Sequence, residues 1–198
     1  MDSPRFDPLG RFLAALNYAT VLHARQTRKG TDTPYVGHLL GVCALVIEHG
    51  GGEEEAIAAL LHDAPEDQGG LPTLEAIRAR FGERVASLVE ACTDTFEDPK
   101  PPWRARKERY LAHLEHVDDG ARLVSAADKL YNARTILEDL RRLGPQVFTR
   151  FTGGQEGTLW YYRELTGRFQ QLGPRTLAGE LARVVGEMER VAAAMARS

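Results

Sequence analysis

Leu60-Leu61-His62-Asp63-Ala64-Pro65-Glu66-Asp67 is the stretch that decides how this chain is read. Its four polar residues, His62, Asp63, Glu66 and Asp67, directly follow an apolar helical stretch, Glu53 to Leu61. Adjacent His and Asp can place an imidazole nitrogen and a carboxylate oxygen on one metal ion. Glu66 and Asp67 follow about one helical turn later, close enough to position or deprotonate a metal-bound water. The stretch predicts the centre of a metal-assisted phosphoester hydrolase.

Outward from it, helical spacing dominates. Phe12, Leu13, Leu16, Ala19 and Leu22 recur at three and four, which predicts a helix from Arg11 to Gln26. Arg28 to Pro34 is a polar, turn-rich loop, and Pro34 suits the first turn of a helix running to about His49. Gly50-Gly51-Gly52 ends that helix, and Glu53 to Asp63 begins the next with acidic residues at its positive end. Pro65 and Gly69-Gly70 then break the chain. Further helices are expected from Thr73 (a candidate cap) to Arg80, Glu83 to Cys92 and Trp103 to His116, with Asp94 to Pro102 an exposed proline-rich loop. Asp118 or Asp119 can cap a long helix, Ala121 to Leu143, that Gly144-Pro145 stops. Glu156 to Leu172 and Leu177 to Met195 complete the series. No run alternates as a strand does, so the fold class is an all-α helical bundle of roughly eight to ten helices. The chain reads as one domain over residues 1–198, with 174–198 a final helix of open role.

Composition sets bounds on partners. The chain has 198 residues, 43% hydrophobic and 27% charged, ordinary for a soluble globular protein. Its formal net charge of -3 gives no support for nucleic-acid or anionic-membrane binding. No apolar stretch approaches the ~20 residues that span a bilayer, and Met1 to Phe6 lacks the layout of a secretion signal. Cys43 and Cys92 sit in apolar helical contexts, as reduced cysteines of a cytoplasmic protein do. Whether the chain forms a homo-oligomer is left open.

A hydrolytic site needs three or four N or O ligands. Beyond His62 and Asp63, His38 and Asp128 are polar residues among apolar and small neighbours, on faces that should turn inward. Alone, His38 reads more simply as a core histidine, and Asp128 as a partner of Lys129 or Arg134. As a set with His62-Asp63 they read as ligands, because an inward carboxylate is costly to bury unless paired or metal-bound. Side chains from three helices can converge in a bundle core. His23, His49, His113 and His116 read as ordinary, near helix ends or on polar faces.

The order His38, His62-Asp63, Asp128 resembles the HD-domain metal-dependent phosphohydrolases. More narrowly it is similar to the (p)ppGpp hydrolase domain of the RelA/SpoT family, especially its stand-alone small hydrolases. Three segments carry the match: Arg28-Lys29 with Pro34-Tyr35 and His38; Ala58 to Asp63 with Glu66-Asp67, the HD-x-x-ED form; and Ala127 to Arg134. The resemblance spans roughly residues 10–170. It implies Mn²⁺ held by His38, His62, Asp63 and Asp128, with Glu66 and Asp67 as the catalytic pair. The implied reaction removes pyrophosphate from the 3′ position of ppGpp or pppGpp, leaving GDP or GTP. Arg28, Lys29 and Asn132 match nucleotide-contacting residues of the family, with Lys129 and Arg134 as further candidates. Leu39 stands where the family commonly has Pro, Gln68 where it has Thr, and Ala64-Pro65 where it has an apolar pair. These departures remove no ligand but leave base identity open, ppApp included. The chain is too short for the synthetase and regulatory domains of long relatives, so it is expected to degrade alarmones and not make them.

Outside these segments, Arg104, Lys107 and Arg109 form a basic patch that is either solvated or faces the pyrophosphate end of the ligand. Trp160 to Arg163 is bundle core or an aromatic wall of the pocket. Two other functions use the same residues. A different HD enzyme, a nucleotidase or NADPH phosphatase, shares the ligands but not the Arg28-Lys29 and Asn132 pattern. A non-catalytic sensor would have no use for Glu66 and Asp67.

Overall fold

The structure is a computed structural model and describes residues 9–197, so the reading of Met1 to Phe6 lies outside the described residues. In order they form α1 (Arg11–Leu22), α2 (Val36–Glu48), α3 (Glu53–Leu61), α4 (Ala64–Asp67), α5 (Leu71–Phe81), α6 (Glu83–Cys92), α7 (Trp103–His113), α8 (Asp119–Leu143), a 3-10 helix (Pro145–Arg150), α9 (Gly154–Leu172) and α10 (Arg175–Met195). No strand occurs among the described residues, only an isolated bridge between Thr27 and Pro34. The fold is the expected all-α bundle.

The centre is α3. Ala56 to Leu61 are six consecutive residues with no exposed surface, because α1, α2, α6 and α8 surround the helix. A helix buried on all sides has no use for an amphipathic stripe, and its alanines let neighbours approach closely. Glu55 accepts from the Gly52 N–H at 3.0 Å and fixes the entry to α3. At its far end His62 keeps helical dihedrals, so the motif leaves the core as a continuation of a rigid element.

The helix α8 starts where expected: the Asp118 carboxylate accepts from the Ala121 N–H at 3.0 Å. It lies against α2, α3 and α6 and carries Asp128 into the core. The final helix α10 packs on α8 and α9 through buried Leu177, Leu181, Val184, Val185 and Met188. Ion pairs Arg134–Glu180, Arg141–Glu187 and Arg163–Glu189 border that seam.

Several boundaries differ from expectation; α3, for one, ends at Leu61 and not at Asp63. The first helix stops at Leu22, not Gln26, because the Gln26 backbone is used in a turn: its N–H donates to His23 O and its carbonyl accepts from Tyr35 N–H, both at 3.0 Å. Pro65 does not break the chain but opens the short helix α4. Thr73 is not a cap; α5 already begins at Leu71 after Gly70 at φ +67°, and the Thr73 hydroxyl donates to Gln68 O at 2.7 Å. The basic helix α7 ends at His113, three residues before His116.

Candidate active site

Two helices and the junction between two others converge on a point. His38 comes from α2, His62 and Asp63 from the junction of α3 and α4, and Asp128 from α8. His38 Nε2 is 3.4 Å from His62 Nε2. It lies 3.3 Å from Asp63 Oδ2 and 3.3 Å from Asp128 Oδ1. His62 Nε2 lies 3.0 and 3.6 Å from the same two oxygens. These are the mutual spacings of donor atoms that share one ion at ~2.0–2.2 Å. One ligand atom from each of His38, His62 and Asp128 falls within 4.8 Å of the others.

The electrostatics call for a cation at that point. Burial opposes charge on His62, but the Asp63 and Asp128 carboxylates outweigh it and hold the imidazole well above its usual range. Burial would likewise raise Asp63 and Asp128. His62 and His38 hold Asp63 well below the usual carboxylate range, and Lys129 and the two imidazoles do the same for Asp128. The surrounding bonds fix the donors. His62 Nδ1–H donates to Ala59 O at 2.8 Å, which leaves Nε2 for a cation. Tyr35 donates its hydroxyl to Asp63 Oδ2 at 2.6 Å. Asp128 receives Lys129 Nζ at 2.6 Å and Asn132 Nδ2 at 2.5 Å. The imidazole and carboxylate donors present fit a divalent metal ion.

Beside the cluster opens a cavity of about 710 Å³. Glu66 and Asp67 line one side of it. Asp67 accepts from Gln26 Nε2 at 2.7 Å, and Glu66 is paired to Lys100 at 2.9 Å. Burial, with Asp63 nearby, raises the Asp67 carboxyl above its ordinary value, although Gln26 pulls it down. Arg28 and Lys29 line another wall; Arg28 donates to Asn132 Oδ1 at 2.6 Å, so Asn132 links Asp128 to the cationic wall. Lys129 lines the cavity as well, half-buried against the Tyr110 ring and paired to Asp128.

Arg134 is the predicted site residue that goes elsewhere: its guanidinium pairs with Glu180 of α10, away from the cavity wall. The basic patch divides. Lys107 lines the cavity, whereas Arg104 stacks on Trp160 and Arg109 pairs with Glu97. Tyr161 and Tyr162 are buried core residues that also face the cavity. Cys43 and Cys92 are free, and burial pushes both thiols up to about 12, so neither is a thiolate donor at neutral pH.

Sequence reasoning gave no site role to Arg106, Asp94 or His23, and quoted Tyr35 only as part of a matching segment. Tyr35 stands three residues before His38, a spacing that puts both on one helical face and was a usable signal. Arg106 lines the cavity and is paired to Asp94, whose side chain is buried behind it. Nothing local in the proline-rich loop marks Asp94. His23 is buried, stacked on Tyr35 with centroids 5.2 Å apart.

Comparison with known proteins agrees with this geometry. The HD domain family model matches residues 15–159. The guanosine-3′,5′-bis(diphosphate) 3′-pyrophosphohydrolase MESH1 of Xenopus tropicalis is 41% identical over 137 residues, 68% of this chain and 72% of that protein. MESH1 of Homo sapiens is 39% identical over 140 residues, 69% of this chain and 73% of that protein. A solved structure described as a metazoan ortholog of SpoT that hydrolyzes ppGpp superposes with a TM-score of 0.75 at 26% identity, covering 91% of this chain and 97% of that one. The matched segment contains His38, the His62-Asp63 pair, Glu66-Asp67 and Asp128, and the chain belongs to the HD-domain family, in the branch that holds the MESH1 pyrophosphohydrolases.

Proposed function

We propose that this protein is a Mn²⁺-dependent hydrolase of the 3′-pyrophosphate of ppGpp and pppGpp, releasing pyrophosphate and leaving GDP or GTP. One observation carries the reading. A cluster of two imidazoles and two carboxylates lies one helical turn from the Glu66-Asp67 pair, beside a cavity lined by His38, by that pair and by cationic side chains. MESH1 relatives at about 40% identity carry that activity in their names.

A divalent ion held by His38, His62, Asp63 and Asp128 would supply a water of lowered pKa and polarise the phosphoryl oxygen. The chain's own residues do the rest. Asp67, raised by burial, accepts a proton from the attacking water, and Glu66 orients that water. The bond between the 3′ oxygen and its phosphorus breaks; water oxygen ends on pyrophosphate and a proton on the 3′ oxygen. Lys107, Arg106 and Lys129 neutralise the leaving pyrophosphate from one side. Arg28 and Lys29 meet the nucleotide from another, with Asn132 between them and the cluster. Arg28 offers a planar guanidinium, already 5.7 Å from the Tyr35 ring centre, on which a base can stack. Arg134 is left out of this set. A small-molecule nucleotide is the partner proposed; no described helix is long and apolar enough to cross a membrane. A cytoplasmic setting fits the two free cysteines.

The test is a substrate panel. Purified protein with Mn²⁺ is given ppGpp, pppGpp, ppApp, NADPH and nucleoside monophosphates, and products are resolved by ion exchange. Equal release of GDP and pyrophosphate from ppGpp is the expected result. Turnover of NADPH or a monophosphate with ppGpp untouched would point to a different HD enzyme.

A further inference from the structure

Asp67 sits at the end of α4, a helix of four residues, too short to fix a side-chain direction by itself. Its direction is set from the turn after α1. Gln26 Nε2 donates to Asp67 Oδ2 at 2.7 Å. A glutamine amide can face either way, and its partners decide which. Here Gln68 Nε2 donates to Gln26 Oε1 at 2.6 Å, and His23 Nδ1–H reaches the same oxygen at 2.7 Å. An Asp67 carboxylate can only accept, so the amide NH₂ faces it, and Oε1 is left to accept from Gln68 and from the Nδ1–H tautomer of His23. A flip would set the Gln26 carbonyl against that carboxylate and lose this bond.

Both glutamines are held in turn. Gln26 is pinned through its backbone to His23 and Tyr35, and His23 is buried against the Tyr35 ring. Gln68 N–H donates to Ala64 O at 2.9 Å, and its carbonyl accepts from the Thr73 hydroxyl at 2.7 Å. Asp67 and Gln68 are neighbours in the chain, so one glutamine from a distant turn grips two consecutive side chains. Gln68 is also where this chain departs from the Thr common in the family.

We propose that Gln26 and Gln68 are positioning residues that lock the Asp67 carboxylate toward the cavity. Oδ2 is engaged by Gln26, and Oδ1 is the oxygen left to meet the attacking water. This rests on the reading of Asp67 as one of the water-activating pair.

The experiment is steady-state kinetics on ppGpp with Mn²⁺ for wild type, Gln26→Leu, Gln68→Ala and the double variant, with melting midpoints alongside. For Gln26→Leu, kcat should fall on the order of 10- to 100-fold with KM within about twofold. Gln68→Ala should fall less, because His23 still orients the amide. The double variant should be no slower than Gln26→Leu alone, since Gln68 acts only through Gln26. A change confined to KM or to the melting midpoint, or losses that simply multiply, overturns the proposal. Failure of wild type to turn over ppGpp overturns the functional reading alone. The lock is then judged from crystal structures of wild type and Gln26→Leu: a displaced Asp67 side chain supports it and an unchanged one overturns it.

Discussion

Lys107 stands in the cavity wall with its ammonium 3.3 Å from Asp94 and 5.1 Å from the Tyr161 ring centre. Burial first, and Lys129 second, lower its pKa from the ordinary lysine value to about 8. The charge is therefore present below about 8 and lost as pH rises through it. If Lys107 meets phosphate, kcat/KM for an anionic nucleotide falls as pH rises past about 8, because kcat/KM reports the free enzyme. Lys107→Arg keeps its charge and should move that fall to higher pH; an unmoved alkaline limb in a pH–rate profile would take Lys107 out of phosphate binding. At this scale the convergence of four side chains was legible. His38, His62, Asp63 and Asp128 each look out of place among apolar neighbours, and burial of charge demands a partner. Gln26, Asp94 and Arg106 were not legible, because their roles depend on residues far away in the chain, which local pattern does not report.

Gly41 is the point where α2 meets α8. A Cβ there would overlap the Tyr131 ring, which lies edge-on to His38 at 5.2 Å. Close approach of these two helices is what brings His38 and Asp128 together. Gly41→Ala should therefore cost about 1–3 kcal/mol of stability by overpacking and weaken divalent-ion binding. Denaturant unfolding and calorimetric Mn²⁺ titration check both; an unchanged midpoint and affinity would mean the helices have slack. Among the elements, the long ones were readable from apolar spacing at three and four. The four-residue α4 and the 3-10 helix Pro145–Arg150 were not, since one turn is too short to show a period. The end of α1 was overrun because apolar spacing says nothing about the turn that begins at buried His23.

For the whole molecule, α10 is a structural member rather than an appendage. Leu181 has no exposed surface and lies in the seam with α8 and α9. Leu181→Ala should cost about 2–5 kcal/mol in unfolding free energy while KM stays near wild type; a rise in KM at unchanged stability would assign the helix to the substrate instead. If the His-Asp cluster holds a metal, metal binding and stability are linked. The cluster's carboxylates gather positive charge at the centre, so Mn²⁺ at 100 times its dissociation constant should stabilise the fold by ~2.7 kcal/mol. A melting midpoint indifferent to Mn²⁺ and to chelator would contradict the site. Sequence left the packing of the final helix open, because its apolar stripe is silent about which surface it covers.

The most direct measurement is ppGpp turnover with Mn²⁺ by wild type, Asp63→Ala and Glu66→Ala, each shown to be folded. Wild type should give GDP and pyrophosphate in equal amounts, and each variant should lose at least ~10²-fold in rate. Folded, metal-loaded wild type that leaves ppGpp intact, or a Glu66→Ala variant as fast as wild type, would contradict the proposed function.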